Sequence, residues 1–231
     1  MRTDDRLISV VVPMYNEERT IGNVVDRLKR VLEEAGFKFE IVVVDDHSRD
    51  NSVGIVKKQV VSLYGLKQHL GKGYALRAGF AKAKGDIIAT VDSDGSHRPE
   101  ELPLLVEPLL CGKADLVIGS RFSTPTSATS RRNQAGNQLF NGLIRILTGS
   151  SISDSQSGFR VMTRDVLKSM NLKSGEYEIE SEMLVKSVRN GFHIKEVPIS
   201  FEQRTYGRSG IDPIRDGFKI LFSIISAYLR S

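Results

Sequence analysis

Short apolar runs alternate along the chain with longer stretches in which apolar residues recur every three or four positions, and this alternation predicts most of the elements. Leu7-Ile-Ser-Val-Val-Val-Pro13 is β-branched and apolar on both faces, the pattern of a central parallel strand. From Glu17 to Ala35, the residues Ile21, Val24, Val25, Leu28, Val31 and Leu32 keep helical spacing, with Gly36 as the stop. Phe39-Glu-Ile-Val-Val-Val-Asp45 predicts a second strand, and Asp50 to Lys58 a second helix capped by Ser48 or Asp50. A weaker strand at Val60 to Tyr64, a helix at Lys72 to Lys84 and strands at Asp86 to Val91 and Ala114 to Gly119 extend the series. Strands alternating with helices predict an α/β fold: a mostly parallel, doubly wound sheet with helices on both faces.

Beyond Gly119 the pattern loosens. Ser120 to Ser130 is rich in Ser and Thr and contains Pro125, so it reads as a loop and candidate lid ahead of a helix from Arg132 to Leu147. Phe159 to Met162 and His193 to Phe201 are strand-like, whereas Arg164 to Ser169 and Glu180 to Arg189 are helical. The final helix, Ile214 to Leu229, has too short an apolar run, interrupted by Lys219, to span a bilayer. It either packs on the domain or lies in a membrane interface with Arg215, Lys219 and Arg230 near headgroups.

A length of 231 residues can bury a substantial core without cross-links. The single cysteine, Cys111, excludes an internal disulfide framework and suits a reducing compartment; a buried, inert thiol is expected. The first residues lack the apolar stretch of a signal peptide, so a cytoplasmic location is expected. A net charge of +5 suits nucleic acid, an anionic membrane surface or phosphate-bearing ligands. The basic residues are spread out, without zinc-finger spacing or an RNA-binding aromatic signature, so nucleic acid is not an expected partner.

Three polar clusters follow predicted strands: Pro13-Met-Tyr-Asn-Glu-Glu18, Asp45-Asp-His-Ser-Arg-Asp50 and Asp92-Ser-Asp-Gly-Ser96. Each alone reads as a capped turn, because Asp, Asn and Ser favour turns and caps. In a parallel sheet, however, all three would converge on one crevice. Asp92 and Asp94 would repel each other unless a cation sat between them. They are hard oxygen donors suited to Mg²⁺ or Mn²⁺, whose coordination is normally completed by water and substrate phosphate. The run Gly71-Lys-Gly-Tyr-Ala-Leu-Arg-Ala-Gly79 could cradle phosphate, although it has neither the dinucleotide-fold nor the P-loop spacing. The histidines, His47, His69, His97 and His193, are scattered and form no metal triad in sequence. No Gly-x-Ser-x-Gly elbow suggests serine hydrolysis.

Taken in order, Val11-Val-Pro-Met-Tyr-Asn-Glu17, Val44-Asp-Asp-His-Ser48, Gly71-Lys-Gly-Tyr-Ala75, Asp92-Ser-Asp94, Gly119-Ser-Arg121, Asp154-Ser-Gln-Ser-Gly-Phe-Arg160 and Glu196-Val-Pro-Ile199 give the chain a family likeness. It resembles the family 2 glycosyltransferases of the GT-A fold, most closely the dolichyl-phosphate mannose synthase and polyprenyl-phosphate glycosyltransferase group. The resemblance implies a Rossmann-like GT-A catalytic domain over residues 1–210, followed by the amphipathic helix over 211–231. It implies metal-dependent, inverting transfer of a hexose, mannose from GDP-mannose first, to dolichyl or polyprenyl phosphate at the cytoplasmic face of a membrane. The alternatives are a UDP-glucose or UDP-N-acetylhexosamine donor, a soluble acceptor, or a nucleotide-sugar-binding module without turnover. A membrane-protein partner subunit is compatible with the likeness.

By the same resemblance, Pro13, Tyr15 and Glu17 would border the nucleotide, with Val43 and Asp45 beside the base and ribose. Asp92 and Asp94 would hold Mg²⁺ or Mn²⁺ on the donor diphosphate, with the Ser93 backbone close to the nucleotide. Arg121 would contact phosphate, and Arg131 or Arg132 would attract the acceptor phosphate. The chain departs from the family pattern at two places. Ser96 stands where a glutamine often supplies a further metal ligand. The pattern Arg-x-x-Gly-x-Ser-Lys appears as Arg204-Thr-Tyr-Gly-Arg-Ser-Gly210, so Arg208 is the candidate source of the missing charge at the diphosphate.

Overall fold

In the computed structural model, which describes residues 5–122, 131–202, 206 and 215–230, the predicted strands join one sheet. Its strands are β1 (Leu7–Met14), β2 (Lys38–Asp45), β3 (Ser62–Gly65), β4 (Ile87–Thr90), β5 (Leu116–Ser120), β6 (Arg160–Thr163) and β7 (Ile194–Pro198). Their order across the sheet is β3-β2-β1-β4-β6-β5-β7. All neighbouring pairs are parallel except those made by β6, which runs antiparallel to both β4 and β5. Periodicity carries no strand direction, so the sequence predicted β6 without its polarity.

The helices are α1 (Ile21–Glu34), α2 (Ser52–Val56), α3 (Lys72–Lys82), α4 (Leu102–Leu110), α5 (Arg131–Thr148), α6 (Arg164–Ser169), α7 (Ile179–Arg189) and α8 (Arg215–Arg230). They cover both faces of the sheet, as alternation along β1 requires. Ile8, Val10 and Val12 face one apolar layer with the buried stripes of α1 and α4. Val11 faces the other, with Leu76 and Phe80 of α3, Ile144 of α5, Leu184 of α7 and Ile224 of α8. Being buried on both sides is what makes β1 read as a continuous apolar run.

Several boundaries moved for local reasons. α1 begins at Ile21, not Glu17, because the Glu17 carbonyl closes a turn by accepting the N–H groups of Thr20 and Ile21. α4 forms despite Pro103 and Pro108, which in sequence argue against a helix. Pro103 lies in the first turn, where no intrahelical N–H is needed, and Leu105, Val106 and Leu109 are buried enough to hold the remainder. Cys111, expected to be buried, is exposed: it caps the C-terminus of α4 beside Gly112, where the chain turns outward.

α8 packs on α7 and α5 through Ile220, Ile224 and Ala227, while Phe218, Phe222, Ile225 and Leu229 remain exposed on its other side. The apolar positions of α5 divide in the same way. Phe140 and Ile144 enter the core, Leu143 and Leu147 are partly buried against it, and Leu139 and Ile146 point outward.

Candidate active site

β1 sits between β2 and β4, so the chain winds away from β1 in one direction and then in the other. This switch point opens a crevice at the C-terminal strand edge. A cavity of ≈ 630 Å³ lies there, with Pro13 at the end of β1, Tyr15 and Glu17 after it, Asp46 after β2, and Asp92, Ser93 and Asp94 after β4 in its wall. Glu176, Tyr177, Arg215 and Asp216 complete its lining. Tyr15 stacks on His69 with ring centroids 3.9 Å apart, giving one flank an aromatic surface.

The Gly71-Lys-Gly73 run reaches this wall by close packing. A Cβ on Gly73 would come within 2.6 Å of the Gly175 backbone carbon and 2.7 Å of the Ser174 carbonyl oxygen. Only a glycine lets the start of α3 lie against segment 174–176, and the Tyr74 N–H donates to the Gly175 carbonyl at 3.0 Å. Asp46 fixes the preceding loop, accepting the N–H groups of Leu70 and Gly71 at 2.8 Å each and pairing with His69 at 2.8 Å. In this structure the glycines serve packing, while Lys72 carries the charge.

Lys72 is the centre of a cluster that runs from the cavity wall inward. Its Nζ lies 2.6 Å from Asp92 Oδ1 and 2.8 Å from Glu180 Oε1. Burial alone would lower the ammonium pKa, but Asp92 and then Glu180 outweigh it and hold the value well above the ordinary lysine range. Burial likewise works to raise Asp92, yet the Lys72 ammonium keeps its carboxyl below the usual carboxylate range. Asp92 is therefore ionised at neutral pH. His97 lies fully inside, tilted against Phe159 and edge-on to Phe201, and the Asp92 backbone N–H donates to its Nδ1 at 3.5 Å. Burial pushes this imidazole below its ordinary value against the pull of Asp92 and Asp94, so the ring is neutral.

Asp94 is oriented by its own turn. Its Oδ1 accepts the Ser96 N–H at 3.0 Å and the Ser96 hydroxyl at 2.6 Å. Ser96 is buried and here holds the Asp94 carboxylate, while Ser93 donates its hydroxyl to the Pro13 carbonyl at 2.7 Å and ties β4 to β1. Asp92 and Asp94 at the cavity rim are a donor set that fits a hard divalent cation, provided that water and substrate oxygens fill the remaining positions.

The polarity of β6 explains the next layer. Its first residue, Arg160, pairs in register with Thr90, so the loop before β6 arrives beside the end of β4. That loop carries Asp154, fully buried, which accepts from Arg121 Nε and Nη2 at 2.7 Å each and from the Arg121 backbone N–H at 3.0 Å. Burial would lower the Arg121 pKa, but the bonds to Asp154 more than offset it. The loop also carries Gly158, where a Cβ would lie 2.7 Å from Asp92 Oδ2 and 2.8 Å from Lys72 Nζ.

Of the residues expected at the site, Pro13, Tyr15, Glu17, Asp92, Ser93 and Asp94 share the cavity wall. Arg121 is not in that wall; it is clamped by Asp154 and interacts electrostatically with Asp92. Val43 is fully buried in the apolar core, and Asp45 turns back to accept the Ser48 N–H, so the wall is formed by the adjacent Asp46. Arg204 and Arg208 lie outside the described residues, as do the side chains of Arg131 and Arg132 at the start of α5. Lys72, Glu180, His97, Asp46 and Asp154 were missed as site residues. Lys72 and Asp154 stood inside quoted motifs, but only folding shows which acids they meet.

Three comparisons with known proteins give the family and the fold. A family model described as "Glycosyl transferase family 2" matches residues 9–170. The chain is 30% identical over 246 residues to a UDP-N-acetylglucosamine–dolichyl-phosphate N-acetylglucosaminyltransferase of Methanococcus voltae, covering 96% of each chain. It is 32% identical over 213 residues to an undecaprenyl-phosphate 4-deoxy-4-formamido-L-arabinose transferase of Edwardsiella ictaluri, covering 88% of this chain and 62% of that one. Among solved structures, glucosyl-3-phosphoglycerate synthase from Mycobacterium tuberculosis, crystallised with Mn²⁺, UDP and phosphoglyceric acid, superposes with a TM-score of 0.80 at 24% identity, over 96% of this chain and 78% of that one. That likeness identifies the fold as GT-A.

Proposed function

The chain belongs to glycosyl transferase family 2 and is a glycosyltransferase, and we propose that it moves a hexosyl unit from a nucleoside-diphosphate sugar to a polyprenyl or dolichyl phosphate with inversion at the anomeric carbon. The observation that carries this reading is the pair Asp92 and Asp94 at the rim of a switch-point cavity large enough for a nucleotide sugar. A UDP-N-acetylhexosamine donor is preferred to GDP-mannose, because the M. voltae relative named for such a donor matches along almost the whole chain.

Pro13, Tyr15 and Glu17 are assigned to the nucleoside side of the cavity, and Asp92 and Asp94 to Mg²⁺ or Mn²⁺ at the diphosphate. Bound there, the cation would neutralise charge on the departing nucleoside diphosphate. Arg121 is held by Asp154 in a fixed orientation close to Asp92, ready to offset negative charge without reorganisation. Arg131 or Arg132 is assigned to the acceptor phosphate, with Arg204 and Arg208 assigned to the donor diphosphate. A lipid phosphate, with a second pKa of about 6, is largely a dianion at neutral pH and needs no strong general base. That requirement agrees with the neutral, buried state of His97.

The test is transfer of radiolabel from UDP-N-acetylglucosamine, UDP-glucose and GDP-mannose into polyprenyl phosphate in vesicles, with Mn²⁺ or with EDTA. Label should enter the organic phase from a uridine donor and only with metal. No label from any donor would overturn the transferase assignment, and equal label in EDTA would remove the metal from it.

The acceptor is greasy, yet no helix among the described residues is long and apolar enough to cross a membrane. The exposed stripe of Phe218, Phe222, Ile225 and Leu229 on α8, with Leu139 and Ile146 on α5, is assigned to peripheral membrane contact at a cytoplasmic face. Replacing Phe218 and Phe222 together by Ser should cut flotation with anionic vesicles by more than about tenfold, since each Phe contributes roughly 1.5–3 kcal/mol on burial. The fold should be unaffected because both side chains already face solvent. Unchanged flotation would rule out this helix as the membrane contact.

A further inference from the structure

Lys72 does more than line the cavity. Its ammonium is shared between a cavity acid, Asp92 at 2.6 Å, and an inner acid, Glu180 at 2.8 Å. The Glu180 side chain is only 3% exposed, and its Oε2 has no hydrogen-bond partner among the described residues. The nearby Arg160 guanidinium bonds the Glu180 backbone carbonyl and not the carboxylate. Lys72 is thus the direct partner of a buried charge that would otherwise be costly. Gly158 packs against the pair: a Cβ there would lie 2.7 Å from Asp92 Oδ2 and 2.8 Å from Lys72 Nζ.

We propose that Lys72 is a resident counter-cation of Asp92 that an incoming divalent cation displaces, and that Glu180 is the anchor that retains Lys72 when it releases Asp92. This inference rests on the assignment of Asp92 and Asp94 as the metal pair. An ammonium and a divalent cation compete for the same carboxylate, so the Lys72–Asp92 contact weakens metal binding to the empty enzyme. It also keeps Asp92 and Glu180 from repelling each other until donor and metal arrive. Lys72 and Glu180 are positioning residues here, acting through Asp92.

The two residues then have opposite effects on metal affinity, which a merely structural role would not produce. Mn²⁺ binding to the nucleotide-free protein, read by electron paramagnetic resonance of the free ion, should tighten by about tenfold in Lys72→Gln, whose amide still donates to both acids but carries no charge. In Glu180→Gln, binding should weaken by a similar factor, because Lys72 is left with Asp92 alone. Lys219→Met is the control for the general field: Lys219 pairs with Glu176 and Asp216 and not with Asp92 or Glu180, and its loss should shift Mn²⁺ affinity by less than about twofold. Unchanged or weaker binding in Lys72→Gln, or tighter binding in Glu180→Gln, would overturn the displacement mechanism while leaving the metal pair in place. A wild-type chain that binds no Mn²⁺ even with UDP present would instead remove the metal pair, and the inference with it.

Discussion

Replacing Asp94 by Ala should lower kcat/KM for glycosyl transfer by about 10²–10³-fold, the scale for losing one preorganised electrostatic partner of a departing anion. The loss should appear without a matching loss of stability. Asp94 lies on a turn at the cavity rim and is part-exposed. Asp92 is a less clean target, because its removal also strips Lys72 of a partner inside the cluster. Ser96 supplies an internal scale. It fixes Asp94 through its N–H and hydroxyl at 3.0 and 2.6 Å, so Ser96→Ala, which removes the hydroxyl alone, should cost only about 10–100-fold, as outer partners of metal ligands do. Saturating Mn²⁺ should recover part of the Ser96→Ala loss and little of the Asp94→Ala loss. A decrease below about tenfold in Asp94→Ala would remove this carboxylate from the metal site.

The contrast between Asp94 and Lys72 shows what was legible in the sequence. Strands such as β1 and β2 are apolar on both faces because they are central, and a parallel sheet sends their polar ends to one edge, so the rim acids could be grouped before any coordinates. Direction and depth could not be read in the same way. The acids Asp45 and Asp46 are adjacent, and a strand end sends one back into its own turn and the other into the cavity; no composition rule chooses between them. Lys72 and Glu180 lie on α3 and α7, far apart in sequence, and meet only because the glycines of the Gly71-Lys-Gly73 run let α3 press on segment 174–176. His97 looked like one of several scattered histidines until the turns at β6 and β7 brought Phe159 and Phe201 around it. The proline-bearing α4 was hidden because its helical state is imposed by burial against the sheet and not by propensity.

Replacing Arg160 by Met should destabilise the fold by about 3–5 kcal/mol, the cost of removing one partner from a buried charged network. Arg160 is fully buried, and its guanidinium donates to three backbone carbonyls: Ser157 at 2.8 Å, Glu180 at 2.7 Å and Ser155 at 2.6 Å. Buried ionic groups can often be exchanged for apolar ones when every partner is exchanged with them. Here the partners are main-chain oxygens that no substitution removes, and each unsatisfied polar group costs about 1–3 kcal/mol. Met matches the apolar length of the side chain, so the loss reports the missing hydrogen bonds and not a large cavity. Burial pushes the guanidinium down to about 10, which leaves it charged at neutral pH. Arg160→Lys therefore keeps a cation but loses the fork that reaches all three oxygens, and should fall between wild type and Arg160→Met. At roughly 2–4 °C per kcal/mol for a chain of this size, the Met variant should melt on the order of 10 °C lower. The same loop carries Asp154, which clamps Arg121, and Gly158, which abuts Lys72 and Asp92, so transfer should fall with stability even though Arg160 does not line the cavity. A destabilisation below about 1 kcal/mol would mean that the loop is held by its serine and asparagine contacts instead, and that Arg160 is not the post on which this side of the site is built.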